Sequence, residues 1–108
     1  MIKQITARAL AGKFEAHEPI VLLDVRQRWE HETAALPSSI LIPLEELPRR
    51  VSEIQPSSAV QVIVYCHHGI RSLAGAAILL KHGVNNVASL MGGIDAWSLE
   101  VDATVPRY

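Results

Sequence analysis

The stretch Val62-Ile63-Val64-Tyr65 runs directly into Cys66-His67-His68-Gly69-Ile70-Arg71-Ser72 and then into Leu73-Ala74-Gly75-Ala76-Ala77-Ile78-Leu79-Leu80. The first segment is apolar and mostly β-branched with no polar alternation, the pattern of a strand buried on both faces. In the last segment apolar residues fall all round a helical period, so that helix is buried as well. A buried strand that passes through a short loop into a buried helix is a unit of layered α/β architecture. It predicts an α/β fold with a largely parallel central sheet flanked by helices on both faces. In such folds, binding sites lie at the carboxyl ends of the strands, where the Cys66 loop lies.

A loop in that position turns its N–H groups into a shared concavity, with the positive end of the following helix behind it. Every nearby dipole then favours an anionic sulfur on Cys66. Arg71 and the pair His67–His68 add cationic or donor character, and Gly69 lets the chain turn. The segment reads as an anion cradle with a sulfur nucleophile at its floor. Taken alone, a cysteine such as Cys66 at the end of an apolar strand is most often a small buried hydrophobe of no chemistry. Two histidines, a glycine and an arginine at the end of a buried strand weigh against that alternative. Arg71 has its own alternative, because an arginine in a first helical turn often only pairs with a neighbouring carboxylate. A zinc site from Cys66 and the histidines lacks further ligands at regular spacing, so no metal and no cofactor are assigned.

The remaining chain is consistent with one domain over residues 1–108. Helical spacing of Ala9, Leu10 and Phe14 after Thr6, an N-cap residue, predicts an amphipathic helix through about His17, preceded by a short edge strand at Ile2–Ile5. Pro19 launches a second buried strand, Ile20–Val25. Arg26 to Thr33 is charged and predicts a helical turn in which Arg26 and Glu30 are spaced to pair. Leu36–Ser39 reads as a turn and Ile40–Ile42 as a short strand. Leu44, Leu47, Val51 and Ile54 keep a helical spacing that Pro48 breaks. Gln55-Pro56-Ser57-Ser58 reads as a linker. Gly83 is placed to end the long helix, Val87–Leu90 is a last strand, and Gly92-Gly93 turns into a helix beginning near Ile94. Asp102 to Tyr108 reads as an irregular tail.

Composition narrows the partners. Apolar residues make up 49% of the chain and the formal net charge is -1, with basic residues scattered. That excludes a disordered chain and leaves no basic face for nucleic acid. No apolar run is long enough to span a bilayer, and the sequence shows no secretory leader pattern. The single cysteine cannot form an internal disulfide. A cytoplasmic location, without membrane association, is the expectation.

Cys66-His67-His68-Gly69-Ile70-Arg71-Ser72 resembles the active-site loop of the single-domain rhodaneses, sulfurtransferases that carry sulfur as a cysteine persulfide. The resemblance extends to Leu22-Leu23-Asp24-Val25-Arg26 with Trp29-Glu30, to Ile40-Leu41-Ile42-Pro43, and to Gly92-Gly93-Ile94-Asp95-Ala96-Trp97, in the family's order. One departure is visible, in the turn before the second of these motifs, where Leu36 and Ser38 stand in place of the family's usual histidine and glycine. The resemblance implies Cys66 as the sulfur acceptor, with His67, His68, Gly69, Ile70, Arg71 and Ser72 binding substrate. It implies transfer of sulfane sulfur from thiosulfate or a similar donor to a thiol or cyanide, in two displacements. Arg71 would contact the anionic donor, and one of His67 and His68 would face the pocket while the other faces solvent. Asp24 is expected to cap loop N–H groups. Trp97 is expected in the core, and Trp29 either at the site entrance or as an ordinary aromatic. Two other functions stay open: a persulfide carrier or anion-binding module serving a sulfur-accepting protein, and a phosphatase. The related cell-cycle phosphatases share this fold and use a cysteine–arginine loop one residue longer, so the shorter loop here favours sulfur.

Overall fold

The computed structural model describes residues 2–54 and 59–108. The segment read as a linker, Gln55–Ser58, lies outside them. Five parallel strands, β1 (Gln4–Ile5), β2 (Ile20–Asp24), β3 (Ile40–Leu41), β4 (Gln61–Tyr65) and β5 (Val87–Leu90), form one sheet in the order β1-β5-β4-β2-β3. β4 is central and every one of its residues is buried. Its side chains alternate between two cores. Ile63 and Tyr65 join Leu22, Leu36, Leu90, Ile94 and Trp97 on one face. Val62, Val64 and Cys66 join Leu23, Val25, Ile42, Leu47 and Leu79 on the other. A strand with two dry faces has no use for polar alternation, which is why the strand is continuously apolar from Val62 to Tyr65 after its opening Gln61.

The helices α1 (Ala7–Glu15) and α5 (Gly93–Glu100) cover the first face, while α3 (Leu47–Arg50) and α4 (Arg71–Lys81) cover the second. The short α2 (Arg28–Thr33) follows β2. Gly75 lets α4 settle close to the sheet, since a Cβ there would stand 3.1 Å from Val64 Cγ1 and 3.2 Å from Val25 Cγ1. Parallel pairing and two-sided cover match the architecture read from the sequence.

Several boundaries differ for physical reasons. α1 is capped by Thr6, whose Oγ1 accepts from Ala9 N–H at 3.1 Å, but it ends at Glu15 rather than His17. His17 takes a left-handed φ of 53° and the N–H groups of His17 and Glu18 turn back to the carbonyls of Phe14 and Lys13, a closing motif that terminates the helix. The Leu44–Glu53 segment is split into a 3-10 turn at Leu44–Glu46, α3, and a second 3-10 turn at Val51–Glu53. Pro48 sits in the first turn of α3, where its missing N–H costs no hydrogen bond. Trp97 is buried and meets Phe14 edge to face at 5.4 Å. Ser38 adopts a left-handed φ of 59°, so the turn keeps the conformation that a glycine favours although the side chain has changed.

Candidate active site

β4 ends at Tyr65 and α4 begins at Arg71, so Cys66 sits at the carboxyl end of the central strand with the loop wrapped above it. Cys66 is only 1% exposed. Its Sγ accepts from the N–H of Gly69 at 3.1 Å and the N–H of Ser72 at 3.3 Å, and lies 3.5 Å from Ser72 Oγ. Ser72 Oγ is in turn 2.7 Å from the hydroxyl of Ser89 on β5, and both serines are buried. This pair can relay a donor hydrogen onto an anionic sulfur.

The carbonyls of the loop face the other way. Cys66 O and His67 O accept from the N–H groups of Ile94 at 2.9 Å and Asp95 at 3.1 Å, in the first turn of α5. Gly93 makes this docking feasible: a Cβ there would collide with both carbonyls, and its φ is 61°. With those carbonyls bound to α5, the Gly69 and Ser72 N–H groups are left to converge on sulfur. Gly69 has a φ of 96° and lies against the backbone of Gly92.

A chain of charged groups runs beside the loop. Glu30 holds Arg71 in a two-pronged pair, Nη1–Oε1 at 2.7 Å and Nη2–Oε2 at 2.8 Å. It also accepts from the Tyr108 hydroxyl at 2.7 Å and from Gln27 N–H at 3.0 Å. The Arg71 hydrogen bonds, foremost, hold its carboxyl down at about 2 against the burial that opposes them. The Tyr108 hydroxyl accepts from Arg26 Nη1 at 2.7 Å. Arg26 is fully buried, with its Nε and Nη2 on Asp24 at 2.9 and 2.7 Å and Nη2 also on Ala34 O at 2.6 Å. Burial pushes the Tyr108 hydroxyl up to about 12, so it stays a donor. The expected pairing of Arg26 with Glu30 is therefore not formed. Helical spacing cannot apply, because Arg26 lies in a bend before α2 and turns back onto Asp24 instead. Asp24 does cap the loop, accepting from Arg26 N–H at 2.9 Å.

The histidines stack rather than diverge. The His67 ring lies 3.9 Å from that of His68 and 3.9 Å from that of Tyr108, nearly parallel to the latter at 8°. His67 is half-buried, and its imidazole pKa is lowered chiefly by burial and then by His68. His68 is exposed. Ligand atoms of His67, His68 and Asp95 lie within 4.8 Å of one another. Arg107 holds Asp95 Oδ1 at 2.8 Å, and His68 Nε2 stands 3.9 Å from Asp95 Oδ2. Ile70 points its side chain into solvent, 77% exposed, so only its backbone belongs to the cradle. Trp29, exposed, meets Tyr108 edge to face at 5.7 Å.

The structure thus brings Gly69 and Ser72 together around the Cys66 sulfur, and it pairs Arg71 with a carboxylate, the alternative that the sequence left open for it. The sequence-based reading missed Ser89, Glu30 as the partner of Arg71, and Tyr108. Comparison with known proteins fits this geometry. The model of the family described as "Rhodanese-like domain" matches residues 6–100. The chain belongs to that family. It is 32% identical over 98 residues to a sulfurtransferase of Allochromatium vinosum, covering 91% of this chain and 90% of that one. Its fold is similar to a rhodanese-related protein of Thermoplasma volcanium, with a TM-score of 0.77, 32% identity, and coverage of 92% and 93% of the two chains. It is also similar to a thiosulfate sulfurtransferase of Pseudomonas aeruginosa, with a TM-score of 0.82 and 34% identity over 91% of this chain. That match covers only 19% of the Pseudomonas chain. Among the described residues of this rhodanese-like domain, no helix is long and apolar enough to cross a membrane.

Proposed function

We propose that this rhodanese-like domain is a sulfurtransferase that carries sulfane sulfur as a persulfide on Cys66. The observation that supports it most strongly is the pair of loop N–H groups, Gly69 and Ser72, both aimed at Cys66 Sγ. The Cys66 thiolate attacks the outer sulfur of a donor. With thiosulfate, the new S–S bond forms as the old one breaks, and sulfite leaves with the bonding pair. Cyanide or a thiolate then takes the outer sulfur and returns the Cys66 thiolate, a ping-pong sequence. In the intermediate, the second sulfur extends about 2 Å beyond Sγ, into the mouth of the loop. The loop N–H groups and the Ser72–Ser89 hydroxyls stabilise the sulfur anion at each stage. The exposed Trp29 and Ile70 beside the loop favour a protein thiol as an acceptor in addition to small molecules.

The test sets sulfur transfer against phosphate hydrolysis. Turnover of thiosulfate with cyanide should exceed hydrolysis of an aryl phosphate and vanish in Cys66→Ser. Inserting one residue between Gly69 and Arg71 widens the cradle and should lower sulfur transfer at least about tenfold, the worth of one hydrogen bond to a charged group. Faster aryl phosphate hydrolysis by the unmodified protein, abolished by the insertion, would overturn the proposal.

A further inference from the structure

The crest of the loop has one side-chain anchor. Of His67, His68, Gly69 and Ile70, which join Cys66 to Arg71, His68 and Ile70 are exposed and Gly69 has no side chain. His67 is left, half-buried, with its carbonyl fixed by Asp95 N–H at 3.1 Å. Its Nε2 is buried without a hydrogen-bond partner among the described residues, so the contacts on the two faces of the ring orient it. One face meets His68, which is itself in solvent; the other meets Tyr108, nearly parallel at 8°. Tyr108 is the fixed face. Its hydroxyl accepts from the buried Arg26 and donates to Glu30, both at 2.7 Å, and it packs with Val105 against the first core. Arg107 next to it holds Asp95, the residue whose N–H binds the His67 carbonyl. The tail therefore secures His67 at both its ring and its backbone. Tyr108 lies beyond residues 6–100, the segment matched by the family.

We propose that Tyr108 is a positioning residue for sulfur transfer: its ring, stacked on His67, holds the loop in the conformation that aims the Gly69 and Ser72 N–H groups at Cys66 Sγ. This rests on the sulfur-transfer reading given above. Donors fixed before the reaction stabilise the sulfur anion without reorganising. A loop released at His67 samples other conformations, because Gly69 is permissive and its exposed neighbours have nothing to pack against. The anion then meets fewer donors, and both displacements slow. The loss falls on charge at sulfur rather than on the bound donor, so it belongs in kcat and not in KM.

The experiment measures kcat and KM for thiosulfate, at saturating cyanide, in Tyr108→Phe and Tyr108→Leu, each with and without His67→Ala. Phenylalanine keeps the ring and leucine does not, and both lack the hydroxyl, so the step between them isolates the stack. That step should lower kcat about fivefold, the scale of one ring contact, and leave KM within about twofold. With His67→Ala present, the same step should change kcat by less than about twofold, because the ring it acts through is gone. An equal loss in both backgrounds, a loss carried by KM, or no loss would overturn the proposal. Amide hydrogen exchange, followed by NMR, reads the loop without turnover. The Gly69 and Ser72 N–H groups should exchange about fivefold faster in Tyr108→Leu than in Tyr108→Phe, while the β4 amides keep their rates. Unchanged exchange at Gly69 and Ser72 would also overturn it. Arg107→Ala unties the tail from Asp95 and serves if Tyr108→Leu fails to fold. It should move kcat and the two amides in the same direction by about two- to threefold relative to the unmodified protein, and unchanged values would count against the proposal. If the unmodified protein shows no turnover, the sulfur-transfer reading fails, and the exchange rates still decide whether Tyr108 holds the loop.

Discussion

Glu30 ties the site to the stability of the domain, and acid should expose that link. Its carboxyl is held at about 2 in the folded protein, against 4.5 for an unperturbed glutamate, mainly by the two hydrogen bonds from Arg71. A depressed folded-state pKa contributes stability that is fully present above 4.5 and is lost as pH falls toward 2. A shift of this size corresponds to about 3 kcal/mol at most. The Arg71 side chain is 37% exposed, and the screening by water that follows brings the contribution nearer to about 2 kcal/mol. Urea unfolding of the unmodified protein and of Glu30→Gln, followed from pH 7 to pH 2, measures it directly. The difference between the two proteins should hold steady down to about pH 5 and shrink by about 2 kcal/mol by pH 2. Parallel curves over the whole range would show that Glu30 is not held ionised by Arg71, and the network described above would be wrong.

Three further outcomes follow from particular contacts. Ser38→Gly should stabilise the domain by about 0.5–1 kcal/mol in thermal or urea unfolding, because Ser38 has a left-handed φ; a loss of stability would contradict this. Gly93→Ala should cost at least about 2 kcal/mol and slow sulfur loading of Cys66, since the new methyl meets the Cys66 and His67 carbonyls, and a variant with unchanged Tm would count against the docking of α5 on the loop. Tyr65→Phe removes the hydroxyl that accepts from the buried Leu36 N–H at 3.1 Å and contacts Ser39 Oγ at 2.8 Å, so it should destabilise by about 1–3 kcal/mol in urea unfolding; an unchanged stability would contradict this.

The parts of the molecule that could be read from the sequence are those set by local periodicity. The continuous apolar runs at Ile20–Leu23 and Val62–Tyr65 mark strands buried on both faces, and the loop from Cys66 to Arg71 joins such a strand to a buried helix, which places the site. Thr6 and Gly83 mark helix ends because their chemistry is local: a hydroxyl that caps, and a φ of 88° that glycine accommodates. Contacts set by tertiary approach left no such trace. Arg26 and Glu30 have the spacing of a helical pair, yet Arg26 lies outside α2 and the two side chains find Asp24 and Arg71. Tyr108 belongs to an aperiodic tail, and nothing near it in sequence indicates that its hydroxyl reaches Glu30 and its ring lies on His67. Ser89 sits in a short strand whose polar residue is unremarkable until β5 is paired with β4 and brings it to Ser72. The His67 ring stacks on both His68 and Tyr108, and the second of these contacts joins residues far apart in the sequence.

The central claim, that Cys66 is the residue that accepts and carries sulfur, is tested most directly by intact-mass spectrometry of the full chain. The protein is measured before and after excess thiosulfate or 2-hydroxyethyl persulfide, and again after cyanide. The unmodified protein should gain the mass of one sulfur atom, lose it to cyanide, and show neither change as Cys66→Ser. A gain that survives Cys66→Ser, or no gain from either donor in the folded, unmodified protein, would contradict the claim.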